Sequence, residues 1–126
     1  MPLVRIDLPN SIESERHGLI GDIVYQAMVD VLNVPDGDKF QIITAHDADS
    51  LRIDPAYLGI DRSANAFIID ITLNAGRTVE LKRQFYATAA ERLSAEADVR
   101  PQDVLIVLTE VAKESWSFGN GEAQYA

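Results

Sequence analysis

The chain has 126 residues, 47% of them apolar, a formal net charge of −9 and no cysteine. Such a length predicts one domain, spanning 1–126, with a real core, and such an apolar content excludes disorder. The acidic balance argues against a nucleic-acid partner, whose phosphates ask for a basic footprint, and the missing thiols remove disulfides, thiolate catalysis and thiolate metal sites.

Residues 3–8 alternate enough to form a strand. Pro2 directly before them is allowed, because only one ladder hydrogen bond is at risk at a strand's first residue. A methionine ahead of a small residue such as proline is normally removed, however, and Pro2 would then carry a free secondary amine. An α-amine starts near pKa 8, and its surroundings move it toward a base or a cationic acid at neutral pH. No basic region followed by an apolar stretch marks a secretory signal, and no window approaches the roughly 20 apolar residues of a membrane span. A cytoplasmic protein with no membrane partner is expected.

Ser11 is the expected cap of a first helix, whose stripe is Ile20, Ile23, Val24, Ala27, Met28, Val31 and Leu32. Pro35 and Gly37 stop it, and 39–45 reads as a second strand. The polar stretch 46–65 is a loop with room for a short strand at Leu51-Arg52-Ile53. Then the pattern restarts. Residues 66–73 form a β-branched run typical of a strand buried on both faces. Thr78 caps a second helix with Leu81, Phe85, Ala89 and Leu93 inside, Pro101 punctuates its end, and 104–109 is a fourth strand.

Sliding the chain by 65 residues sets Val34, Asp38, Ile42 and Thr44 on Val99, Asp103, Val107 and Thr109, and Ile6 and Leu8 on Ile71 and Leu73. The fold class is therefore α/β (α+β): a duplicated β-α-β with pseudo-repeats about 2–45 and 66–110. Its four-stranded mixed sheet carries both helices on one face. The third and fourth strands are apolar on both sides, so the other face is expected to be covered by a homo-oligomer.

If the two units are related by a twofold axis, the starts of strands 1 and 2 share an edge with the ends of strands 3 and 4. Pro2, Asp38, Arg77, Trp116 and Phe118 then converge on one rim. Asp38 lies in Pro35-Asp36-Gly37-Asp38, where turn chemistry alone accounts for an aspartate. Arg77 precedes the Thr78 cap, where it is either a solvated loop arginine or, with the helix N-terminus, a carboxylate holder. Trp116 and Phe118 stand in a polar tail with no core stripe to join, so they pack on a neighbour or wall a pocket. His17 and His46 lie apart, and no metal site is expected. No serine has a histidine–aspartate arrangement near it, and no glycine-rich phosphate loop is present.

These residues resemble the tautomerase superfamily. Pro2, the duplicated β-α-β and the length are similar across it. "VPDGDKFQ" at 34–41, "GR" at 76–77, "FY" at 85–86 and "WSFGNG" at 116–121 look like its malonate semialdehyde decarboxylase branch. The resemblance implies a homotrimer that converts a small anionic oxo acid, malonate semialdehyde, to acetaldehyde and carbon dioxide with no cofactor, alongside a promiscuous hydratase activity. It implies Pro2 as the catalytic amine, Asp38 beside it, Arg77 as a catalytic and substrate-binding cation, and Trp116 and Phe118 as substrate-binding walls. Two arginines are expected around the 74–77 turn, whereas this chain has only Arg77. Pro2 would serve either as a hydrogen-bonding cation or as an iminium former. The alternatives are a tautomerase or hydratase acting on another unsaturated 2-oxo acid, and a non-enzymatic trimeric binding protein.

Overall fold

The computed structural model describes residues 2–126, so the expected removal of Met1 lies outside the described residues. Its elements run β1 (Leu3–Pro9), α1 (Ser14–Leu32), β2 (Gln41–His46), β3 (Phe67–Asn74), α2 (Val79–Ala97) and β4 (Val104–Val111). The strands form one sheet in the order β2-β1-β3-β4. β1 is parallel to β2 and β3 to β4, while β1 and β3 are antiparallel, with Leu3 opposite Thr72 and Ile6 opposite Ile69. The two β-α-β units thus meet along β1 and β3, and the sheet is mixed with both helices on one face.

Strand alternation decides what each face carries. On β3, Phe67, Ile69, Ile71 and Leu73 are buried while Ile68, Asp70, Thr72 and Asn74 between them are half-buried. The buried set packs with Val4, Ile6 and Leu8 of β1 against the α1 stripe and against Phe85, Ala89 and Leu93 of α2. Full burial of one such side chain contributes about 1.5–3 kcal/mol. α1 lies close on β2 because Gly21 has no side chain. A Cβ there would come within 2.6 Å of the Gln41 Oε1, whose own amide donates to the Gly21 carbonyl at 2.8 Å.

The duplication is visible in the backbone. α1 and α2 are each 19 residues long and start 65 positions apart, at Ser14 and Val79. Each ends on a left-handed residue, Asn33 and Asp98, followed by a hydrogen bond from Val34 to the Met28 carbonyl and from Val99 to the Leu93 carbonyl. That is a Schellman-type stop, repeated. The paired aspartates Asp38 and Asp103 are both buried, and each N–H donates three residues back, to Pro35 and to Arg100.

Three local expectations need correction. Ser11 does not cap α1: its hydroxyl donates to Asn65 Oδ1 at 2.6 Å, and the helix starts after Glu13 without a side-chain cap. Two extra residues of turn separate β1 from the helix, which moves Ser11 out of capping range. Residues 51–53 form no strand, because the loop folds on its own side chains. Asp47 accepts from the Asp49 and Ser50 N–H groups, and Arg62 donates to the Asp54 and Tyr57 carbonyls. β2 begins at Gln41 rather than at residue 39, although Val4 already donates to the Phe40 carbonyl at 3.0 Å. Thr78 does cap α2, accepting from the Leu81 N–H at 3.2 Å.

Across the helix-free face Arg5 stands directly opposite Asp70, and Asp7 meets His46 at 2.6 Å. Around this polar strip Phe40, Ile42, Leu105 and Val107 remain exposed.

Candidate active site

At one rim of the sheet a cleft of about 250 Å³ is lined by Pro2, Leu3, Phe40, Trp116, Ser117 and Phe118. Topology makes this rim. Pro2 directly precedes β1, Phe40 precedes β2, and the chain leaving β4 turns back through Trp116 to Phe118. The tail stays in place by stacking and by its own hydrogen bonds. Trp116 and Phe118 lie 5.4 Å apart and nearly parallel, Phe118 sits 6.3 Å from Phe40, and Tyr125 approaches Phe118 edge-on at 5.1 Å. Gln124 accepts from the Phe118 N–H at 2.9 Å and donates to the Gly119 carbonyl at 2.8 Å. Offset aromatic contacts of this kind contribute about 0.5–1.5 kcal/mol each beyond area burial. Pro2 is buried beneath them.

Asp38 lies two residues before Phe40 and is only 8% exposed. Burial pushes its carboxyl above the ordinary aspartate value. Its turn is pinned to α1 by Tyr25, whose hydroxyl accepts from the Gly37 N–H at 2.7 Å and donates to Asp36 at 3.1 Å. Lys39 lies over the same ring and bonds Asp22.

Arg77 is not a solvated loop arginine. It is half-buried, with Nε and Nη2 donating to the Leu32 carbonyl at 3.3 and 3.0 Å and Nη1 to the Asn74 carbonyl at 3.0 Å. A cation at the positive end of α2 is disfavoured, but here it also faces the negative end of α1, which compensates. Among the described residues these contacts use three of its five N–H groups, leaving one on each terminal nitrogen. The turn before it is braced by Glu110, which accepts from the Gly76 N–H and is ion-paired with Lys82. The Lys82 bond, then the Gly76 bond, hold the Glu110 carboxyl below its usual range.

The structure therefore brings Pro2, Trp116 and Phe118 into one cleft, with Asp38 at the adjoining start of β2. Arg77 does not line the cleft, but it joins the wall through Asn74, whose side-chain oxygen accepts from the Trp116 indole N–H at 2.8 Å. Tyr25 and Asn74 carry no sequence motif, and Phe40 lies within the 34–41 motif without being singled out by it. Only the outward alternation of Phe40 with Ile42, and a polar residue ending an apolar strand at Asn74, hinted at them.

The opposite rim offers a natural comparison. It holds a larger cleft of about 340 Å³, lined by residues such as Asn10, Ser11, Leu51, Ile53 and Ser63, none of them ionisable. There Asp103, the counterpart of Asp38, is satisfied by the Ser63 N–H and hydroxyl at 2.7 and 2.6 Å. Phe67 occupies the place that Pro2 takes at the first rim. Among the described residues, the first rim alone combines a proline just ahead of a strand with aromatic walls.

A family model described as "Tautomerase enzyme" matches residues 38–119. The probable tautomerase YusQ of Bacillus subtilis (strain 168) is 36% identical over 98% of both chains. FG41 malonate semialdehyde decarboxylase, solved as inhibited by 3-bromopropiolate, is 44% identical with a TM-score of 0.91, over 98% of this chain and 93% of that one. A second malonate semialdehyde decarboxylase was solved as a structural basis for its decarboxylase and hydratase activities. It is 28% identical with a TM-score of 0.89, over 98% of this chain and 95% of that one. With this fold, a proline-floored cleft at one rim and a match across nearly all its length, the chain belongs to the tautomerase enzyme family.

Proposed function

We propose that this protein decarboxylates malonate semialdehyde (3-oxopropanoate) to acetaldehyde and carbon dioxide, with the Pro2 amine as electron sink and no cofactor. The observation that carries the reading is Pro2 buried at the floor of a small cleft walled by Trp116, Phe118 and Phe40. Its likeness to the two decarboxylases over nearly the whole chain supports the choice of substrate.

The chemistry follows from charge. Breaking the bond between C2 and the carboxylate carbon releases neutral carbon dioxide and sends the electron pair toward the aldehyde oxygen. A cationic Pro2 stabilises that oxygen by hydrogen bonding, or as an iminium accepts the pair directly. Protonation at carbon then gives acetaldehyde directly in the hydrogen-bonded route. In the iminium route it gives the acetaldehyde iminium, and a water equivalent to the one lost when the iminium formed hydrolyses it to acetaldehyde and the free amine. Arg77 stands behind the cleft lining, oriented by the Leu32 and Asn74 carbonyls. Its two remaining N–H groups serve a substrate carboxylate that reaches past the Trp116 edge to the 74–77 turn. One pre-oriented arginine thereby does the bidentate work expected of two. The aromatic wall excludes water, which favours the neutral product over the bound anion. Asp38 keeps Pro2 cationic, or directs a water in hydration of an unsaturated acid.

The exposed Phe40, Ile42, Leu105 and Val107 face is the surface a homotrimer would cover, the assembly that the sequence resemblance implies. Among the described residues no helix is long and apolar enough to cross a membrane. A second reading, tautomerisation of an unsaturated 2-oxo acid with Pro2 as proton shuttle, is favoured by the name of the Bacillus relative.

The test is incubation with malonate semialdehyde and enzymatic detection of acetaldehyde, on protein whose intact mass shows Met1 removed. Pro2→Ala is expected to abolish turnover. No acetaldehyde from the processed wild type, with enol–keto interconversion of a 2-oxo acid instead, selects the second reading. Unchanged turnover in Pro2→Ala removes the amine from the mechanism. Borohydride trapping with substrate separates the iminium route, which leaves a mass adduct on Pro2, from polarisation.

A further inference from the structure

We infer that Asn74 is a positioning residue that couples the aromatic wall of the cleft to the arginine turn. The inference deepens the proposed function and rests on it for its kinetic arm only.

Asn74 is the last residue of β3 and is half-buried on the helix-free side of the sheet. Its two acceptors point to two different parts of the site. The main-chain carbonyl takes Arg77 Nη1 at 3.0 Å, and the side-chain oxygen takes the Trp116 indole N–H at 2.8 Å. The second bond spans 42 positions of sequence and ties the tail that leaves β4 to the end of β3. Indole has one donor and no acceptor, so this bond uses the ring's whole hydrogen-bonding capacity and sets the direction of its N–H edge. Phe118 stacks on that ring at an interplanar angle of 13° and inherits its orientation. On the other side Asn74 stands beside the start of β1. Leu3, the residue after Pro2, pairs with Thr72, two positions before Asn74. One residue at the seam of β1, β3 and the tail therefore sets the spacing between the ring wall and the arginine turn.

Trp116 is the only tryptophan in the chain, which gives the bond its own optical signal. Asn74→Leu removes the acceptor while keeping a strand-compatible side chain, and Trp116→Phe removes the donor while keeping an aromatic ring. Asn74→Val, which also lacks a side-chain acceptor and suits a strand, replaces Asn74→Leu if the latter does not fold. In wild type and Asn74→Leu, the emission maximum and acrylamide quenching of Trp116 are compared at equal protein concentration. The expected result is a shifted maximum and increased quenching in the variant. In steady-state kinetics on malonate semialdehyde, each single variant is expected to lose about fivefold in kcat/KM, the range of one hydrogen bond. The double variant is expected to lose no more than either single one, because both remove the same link.

Losses that multiply in the double variant overturn the coupling, and so does unaltered emission and quenching in Asn74→Leu. If the wild type does not decarboxylate malonate semialdehyde, the proposed function fails alone. The fluorescence comparison then decides Asn74 by itself, increased quenching supporting the link and unchanged quenching overturning it.

Discussion

Replacing Arg77 by alanine separates two jobs that this residue combines. Structurally it closes the end of α1: two N–H groups serve the Leu32 carbonyl, one of the four at a helix C-terminus without an intrahelical partner, and a third serves Asn74. Hydrogen bonds from a charged donor contribute about 1.5–3 kcal/mol, so a half-buried guanidinium shared over two carbonyls is expected to cost about 2 kcal/mol when removed. For a chain of this length each kcal/mol shifts Tm by about 4 °C, so the expected drop is about 8 °C at fixed protein concentration. Functionally, losing a bidentate hold on the substrate carboxylate is expected to reduce kcat/KM by about two orders of magnitude. The duplication provides a control. Arg16 does the same capping at the end of α2, donating to the Ala97 and Asp98 carbonyls at 2.6 and 3.2 Å, but at the rim that lacks Pro2. Arg16→Ala is expected to lower Tm comparably and leave kcat/KM unchanged. Differential scanning calorimetry and acetaldehyde production, run on both variants, compare the two arginines directly. If Arg77→Ala melts early but turns over like Arg16→Ala, Arg77 is a helix tie and the carboxylate must be held elsewhere.

Asp38→Asn is expected to lower decarboxylation yet stabilise the fold at neutral pH. Burial raises the folded-state pKa of Asp38 above its unfolded value, so its ionisation costs the folded state. That cost is absent below the unfolded pKa and sets in as pH rises through the folded one. The Tm difference between variant and wild type should therefore be small in acid and positive near pH 7; an equal difference at both, or a negative one at neutral pH, refutes it. Val107→Asp sets a carboxylate on the apolar outer face, where Val107 is 42% exposed in the single chain. Light scattering is expected to show the variant as a smaller species than the wild type, and an unchanged mass would move the contact surface elsewhere.

Periodicity made the fold legible from the chain alone. The stripe from Ile20 to Leu32 and the β-branched run ending at Leu73 are repeating signals that need no partner to be read. The 65-residue offset then implied the twofold arrangement, and topology alone predicted that residues from four distant segments would share a rim. Ser11 was misread because a cap depends on where the first turn closes, which neighbouring letters do not encode. The tie of Arg77 to the end of α1 was not legible because the Leu32 carbonyl that holds it lies 45 positions away. The roles of Tyr25, Phe40 and Asn74 were not legible for the same reason, since each depends on contacts made between separate elements.

The amino-acid order, then, determined the elements, their duplication and the chemistry available at the chain's beginning and tail, because each is carried by local pattern or by residue type. Tertiary structure decided which arginine faces which helix end, which of two related rims sets Pro2 beneath aromatic walls, and how Asn74 joins Trp116 to Arg77. Those are matters of ångström-scale placement between distant segments, and directional hydrogen bonds exist only once the sheet has brought their partners together.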